Sequence, residues 1–295
     1  MIANLLRKAF NMDIVITADS TCDLPKHIIK EQNIIIFPLS ILLGEESYLD
    51  GVEIRTPEIY EHVKKTGQLP KTAAVTPAQY YDVFKKLTDE GKAIVHISLS
   101  SAISSSHQNS LVAASEFDNV YCIDSKSLCT GMGLLVLKAC DLRSSGFDAK
   151  QIANRITGLV SKLHTTFVLD SLEYLHKGGR CSGVERFGAN VLGLKISIAV
   201  STETGKLDVS KKYRGKIEAV YKQYISDCMN AAEKADKTRI AIANSGGVSG
   251  DIITYAKEVA ERKGFKEVVL ADAGCTISSH CGPKTFAIFF MDNIN

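Results

Sequence analysis

Nowhere does this chain run through the roughly 18 consecutive apolar residues that a membrane-spanning helix needs, so no helical span is expected. Its first residues, MIANLLRKAFN, carry two basic side chains but too short an apolar stretch for a signal peptide. No small-residue cleavage site follows, so no secretory leader is expected. The eight cysteines (Cys22, Cys122, Cys129, Cys140, Cys181, Cys228, Cys275 and Cys281) include no CxxC pair. Without a secretory context they read as reduced thiols filling small apolar sites. Cys275 and Cys281 stand either side of a histidine, but zinc needs three or four ligands at compact spacing, and no metal is expected. The phosphate loop G-x-x-x-x-G-K-[ST] is missing, and TGMG at 130–133 lacks the third glycine of a dinucleotide loop, so a nucleotide enzyme is unsupported. The nucleophile elbow G-x-S-x-G is also missing. Net charge is +2 and the basic runs, such as Lys64-Lys65 and Lys211-Lys212, are short, which argues against a nucleic-acid surface. What remains is a protein expected in the cytoplasm, with no cofactor.

What is there is ample for a large core: 295 residues, of which 45% are hydrophobic and 23% charged. The first half alternates short apolar runs with helical patterns. DIVITA, IIIFPL, AIVHIS and NVYCID read as buried parallel strands. Between them, 25–32, 56–66, 77–90 and 104–117 read as helices, with Pro25 and Pro77 placed as first-turn prolines. This alternation predicts a mostly parallel sheet flanked by helices. Helical patterns follow at about 128–144 and 149–163. The second half carries the strand TTFVLD, a hairpin over Lys195 to Tyr213 turning at Gly205, helices at about 215–235 and 251–263, and the strands TRIAIANS, EVVLADA and TFAIFFMD. That pattern predicts a second, mixed sheet with helices. Two α/β domains are therefore expected, 12–165 and 166–295, with no flexible linker and no internal repeat.

Hydroxyls gather where strands hand over to helices. SLSSAISSSHQNS, from Ser98 to Ser110, places seven serines and no formal charge behind AIVHI. A small-residue loop opening a helix leaves backbone N–H groups pointing outward, a seat for an anion to which serine hydroxyls add donors. One serine is explained by N-capping; Ser104, Ser105 and Ser106 in succession exceed that need. KTAAVTP, HKGGRCSG and SSHCGP are similar clusters. In the second, glycines admit close backbone approach and Arg180 offers a bidentate fork to an acidic group, although a helix C-cap with a surface arginine fits too. In the third, small residues around His280 leave room for a ligand. The pattern as a whole suits an acidic head group.

These motifs, in this order, resemble the DegV family of bacterial fatty-acid-binding proteins. ADSTCDLP, KTAAVTP, SSAISSSHQNS, IDSKSLCTGMG, LEYLHKGGRCS, LKISI, KKYRGK and HCGPK stand in register with it across nearly the whole chain. The resemblance implies two α/β domains with one long-chain fatty acid in an apolar tunnel between them. It implies Thr72, Ser104 and Ser105 as hydroxyl ligands of the carboxylate, supported by Arg180 and His280. It further implies a separate ATP-binding fatty acid kinase subunit, to which the acid is presented for acyl-phosphate formation and phospholipid synthesis, with Arg214 on the kinase-facing surface. Such a protein has no chemistry of its own, touches membranes only transiently, and is expected as a monomer. The chain departs from the family at Ala73, Ala74 and Val75, and at Lys284, which is expected to add a cation near the head group.

The competing reading is a Ser/His-dependent hydrolase or transferase acting on a small acidic metabolite through Ser104 and His280. A serine nucleophile needs a base within hydrogen-bond reach, so geometry separates the two.

Overall fold

β-Branched runs that are buried on both faces build the centre of the first sheet. The computed structural model describes residues 12–181 and 194–293. The first half contains β1 (Ile14–Asp19), α1 (Lys26–Glu31), β2 (Ile35–Phe37), β3 (Ser40–Leu43), β4 (Glu46–Leu49), α2 (Thr56–Thr66), β5 (Lys71–Ala73), α3 (Pro77–Asp89), β6 (Ala93–Ser98), α4 (Ser106–Ala114) and β7 (Val120–Asp124). Strands order β2-β1-β6-β7, all parallel, and every residue of β6 is buried. The chain winds from β1 outward to β2 and later returns on the other side of β1 as β6. Such a switch point opens a crevice at the carboxyl ends of the two strands, where ligands bind in this architecture. Buried Asp19, closing β1, ties those ends together by accepting the Leu99 N–H at 2.8 Å.

A three-stranded antiparallel sheet, β4-β3-β5, was not expected from the sequence. IIIFPL stops as a strand at Phe37, because Pro38 has no N–H to give a ladder. The chain then re-enters strand geometry at Ser40, and KTAAVTP supplies β5 as the partner of β3. Thr76 caps α3, accepting the Gln79 N–H in a capping box, so its hydroxyl is spent locally.

The remaining elements are α5 (Cys129–Ser144), α6 (Ala149–Leu159), β8 (Leu163–Leu169), α7 (Glu173–Gly178), β9 (Leu194–Val200), β10 (Leu207–Arg214), α8 (Ile217–Ala231), β11 (Ala235–Asn244), α9 (Gly250–Arg262), β12 (Glu267–Asp272), α10 (Cys275–Cys281) and β13 (Phe286–Asp292). The second sheet has the order β10-β9-β8-β13-β11-β12 and is mixed, its one parallel pair being β11 with β12. Predicted boundaries move for local reasons. The helix expected from Ser104 begins at Ser106 because the Ser104 hydroxyl accepts the Ser106 N–H. The one expected from 215 begins at Ile217, since Gly215 sits at φ 121°. A 3-10 turn at Val160–Lys162 takes the chain from α6 into β8.

Helix α5 is apolar on nearly every side and packs against strands of both large sheets. One continuous apolar core therefore runs from Ile16 and Ile97 through Leu134 to Phe167 and Phe289. The glycines of TGMG belong to this packing. A Cβ on Gly131 would lie 2.9 Å from the Ser127 and Thr165 hydroxyls, and one on Gly133 would lie 2.7 Å from the Cys22 carbonyl oxygen. Because that neighbour of Gly133 is backbone and cannot swing aside, Gly133→Ala is expected to destabilise the fold by about 2 kcal/mol, read as a lowered urea midpoint at unchanged slope.

Candidate functional site

Helix α10 has the composition CTISSHC, with no apolar stripe to hold it, and depends on a distant cap. The Asp50 carboxylate accepts the Cys275 N–H at 2.9 Å, the Thr276 N–H at 3.2 Å and the Thr276 hydroxyl at 2.7 Å. It also accepts the Ser20 hydroxyl at 3.0 Å. A charged acceptor at a helix N-terminus gains from both the free N–H groups and the dipole. Beside it, burial and then the charge of Asp50 push the Asp23 carboxyl up to about 8. Near neutral pH Asp23 is thus largely protonated.

So held, α10 points His280 at Thr72 on β5, with Nε2 2.8 Å from Oγ1. The Nδ1 of the same ring has no partner and faces Gly178, where a Cβ would stand only 2.5 Å away. Gly178 is therefore required by the ring, while Gly179, at φ 66°, ends α7. Burial, then the Arg180 charge, lowers His280 to about 4, so the ring is neutral at ordinary pH. Arg180 is exposed and gives Nη1–H to the Gly178 carbonyl at 2.7 Å.

The structure sorts the seven serines of the Ser98–Ser110 stretch. Ser100 donates to the Gly205 carbonyl at 2.8 Å, Ser101 to Asp124 at 2.5 Å, and Ser110 to the His107 carbonyl at 2.8 Å. Ser98 lies 3.3 Å from His107 Nδ1, and buried Ser106 pairs with Ser104 at 2.9 Å. Ser104 and Ser105 face a cavity of about 200 Å³ that Thr72, Arg180 and His280 also line. All five expected head-group residues thus surround one space. Thr276 joins them from the first turn of α10; it lies just before SSHCGP and belongs to none of the hydroxyl clusters visible in the sequence. The other walls are apolar, among them Leu39, Leu99, Ile103, Leu128, Leu175 and Leu207. A smaller void of about 20 Å³ behind it shares Leu128, Ile277 and Cys281, and is bounded by Phe167 and Phe289.

Two basic residues singled out in the sequence lie outside the cavity. Arg214, exposed at the end of edge strand β10, is not among the cavity residues. Lys284 does not line the cavity either, which corrects the expectation of a cation near the head group. It sits exposed in a turn at φ 62°, with its N–H on the Gly246 carbonyl at 2.8 Å. The left-handed backbone explains why glycine suits this position, and it aims the lysine elsewhere.

A hollow lined by a few hydroxyls, one cation and many apolar side chains can hold an amphiphile with a small acidic head. It is poorly built for acyl transfer. His280 spends Nε2 on Thr72 and turns Nδ1 toward Gly178, so it is not a base for Ser104, and among the described residues no carboxylate orients the ring. Among the described residues no helix is long and apolar enough to cross a membrane, and no His/Cys/Asp/Glu group is arranged to hold a metal.

The sequence profile of the DegV family, described as a family of uncharacterised proteins, matches residues 13–293. A DegV domain-containing protein of Clostridium perfringens is 32% identical over 284 residues, 95% of this chain and 98% of the relative. The fold is similar to a fatty-acid-binding DegV family protein of Thermus thermophilus, at TM-score 0.87 and 24% identity over 96% of this chain and 100% of that one. It is also similar to a stearic-acid-binding protein of Eubacterium ventriosum, at TM-score 0.83 and 23% identity over 94% and 97%.

Two outcomes follow from this geometry. Because folding depresses the His280 pKa, its share of stability is complete above pH 6.5 and is lost as pH falls toward 4, reaching about 2 kcal/mol by pH 5. His280→Gln should shrink the difference between urea unfolding at pH 7 and pH 5 by that amount. Lys284→Gly should relieve the left-handed strain and raise stability by about 0.5–1 kcal/mol in the same assay.

Proposed function

Because this chain belongs to the DegV family, we propose that it binds one long-chain fatty acid and carries no chemistry of its own. The tail lies in the apolar space that runs inward past Leu128 and Ile277, and the carboxyl head meets Thr72, Ser104 and Ser105, with Arg180 and His280 in support. The observation that carries this reading is the make-up of the cavity wall, in which hydroxyls from β5 and the loop after β6 share one space with His280, Arg180 and a majority of apolar side chains. Burial of the tail contributes about 0.8 kcal/mol per CH₂, roughly ten for a sixteen-carbon acid, so the apolar walls supply most of the affinity. A buried carboxyl head costs energy unless it is hydrogen-bonded, and the hydroxyls meet that need.

The bound acid is then presented to a separate ATP-dependent kinase subunit, which forms the acyl phosphate used in phospholipid synthesis. The exposed basic edge formed by β10, with Arg214 at its end, supports a docking face distinct from the cavity. In this reading the protein is a cytoplasmic monomer that meets membranes only to load.

Native mass spectrometry of the chain expressed in bacteria, followed by extraction, should release one fatty acid per chain. Ser104→Ala and Thr72→Val should each weaken oleate binding about tenfold, the worth of one hydrogen bond to an acidic group. Adding an ATP-dependent fatty acid kinase and ATP should yield acyl phosphate, less of it with Arg214→Glu. A polar anion in the extract, or a cavity that stays empty when oleate is supplied, overturns the binding reading.

A further inference from the structure

The second sheet carries alanine where a buried strand favours bulk. In TRIAIAN and TFAIFF alternate residues face opposite sides of the sheet, and the two sides differ in size. Ile240, Ile242 and Ile288, with Phe286 and Phe290, pack on the side of α8 and α9. Ala241, Ala243 and Ala287 face the other side, toward the core that α5 fills. These alanines are paired. Ala243 stands opposite Ala287 on β13 and Ala271 on β12, and Ala287 stands opposite Phe167 on β8. Partners across a ladder share a face, so small side chains lie side by side across three strands. Alanine is depleted in strands, where β-branched and aromatic residues pack better, yet all of these are buried. The row lowers the sheet surface into a trough.

That trough walls the void of about 20 Å³ behind the cavity. Ala243, Ala287 and Ala273, the residue after β12, line the void, and Phe167 and Phe289 bound it. Three polar residues line it as well, but their polar groups are engaged elsewhere. Ser245 gives its hydroxyl to the Gly282 carbonyl at 2.6 Å, and Thr285 gives its own to the Cys281 carbonyl at 2.9 Å. The Asn244 amide donates to Asp272 at 3.0 Å. The void therefore offers a ligand apolar surface, in a space about the size of one methyl group. Leu128, Ile277 and Cys281 form the partition that it shares with the cavity. Thr72 and Ser104 line the cavity and not the void, so these hydroxyls lie on the near side of the partition.

We propose that this void seats the terminal methyl of the bound chain, and that Ala243 and Ala287 set the chain length the protein accepts. The inference rests on the fatty-acid reading above and names the dimension along which that site selects. A chain too short to pass the partition leaves the apolar surface of the void unused. A longer one gains with each carbon it buries, until Phe167 and Phe289 stop it. Carbons beyond that point find no further apolar surface. Packing alone gives no reason to keep alanine here, since valine suits a strand better and would occupy the void. A ruler for the acyl chain does give one, because its reach ends where the floor rises.

The test titrates the delipidated full-length protein with saturated fatty acids of ten to eighteen carbons, each below its micelle concentration. In the wild type, affinity should rise about fourfold per added carbon up to one length and stop rising there. Ala287→Val should move that break to a chain about two carbons shorter, the bulk that the two added methyl groups take from the void. Decanoate should bind the variant and the wild type equally, because so short a chain does not reach the void. Ala243→Val fills the same space from the neighbouring strand and should give the same shift where Ala287→Val does not fold. A break at one length in the wild type and in the folded variants overturns the inference, as does a wild type with no break up to eighteen carbons. An equal loss at every length, decanoate included, also overturns it, since a general disturbance of the fold would act that way. All three results leave fatty-acid binding standing. No binding of any of these acids, or of oleate, by the wild type overturns the fatty-acid reading itself.

Discussion

The grip of Asp50 on the first turn of α10 is the interaction on which the site depends. The carboxylate belongs to the first half of the chain and the helix to the last 21 residues, and four donors meet on it. A buried charge persists only when such donors surround it, and removing one partner from such a pair costs several kcal/mol. The same contact fixes where the C-terminal turn of α10 falls, and so where the ring of His280 meets Thr72. Asp23 is kept largely protonated beside it, which spares the pair a second negative charge at close range.

From that anchor the site tolerates little slack. Gly178 admits the His280 ring, and Gly282, at φ 71°, passes so close beneath Tyr174 that a Cβ would meet the ring at 2.6 Å. These contacts hold α7 and the end of α10 at backbone distance. Ser100, bonded to the turn of the β9–β10 hairpin, holds the serine loop from the other side. The cavity is thus a seam between elements that are far apart in sequence, each closed on its neighbour by a named contact.

Much of the frame was legible because period and burial agree. The strands β1, β6 and β7 are near-continuous apolar runs, and α2 lies where its pattern placed it. What was not legible has a common cause. The β3–β5 sheet is made of three- and four-residue strands, too short to show alternation. Helix α10 has no periodic signal, since its stability comes from a cap more than two hundred positions away. The serine stretch announced a polar site but could not say which serines were already spent: Ser100 and Ser101 look no different in sequence from Ser104 and Ser105. Lys284 was misread because a residue in left-handed backbone points where its sequence neighbours do not.

The site also separates two quantities that are often run together. The affinity of a long acyl chain grows with every buried methylene, whereas one hydroxyl contributes about one kcal/mol net. A few hydroxyls set among apolar walls, as around this cavity, therefore move the total affinity for an amphiphile modestly and act chiefly by selecting among head groups.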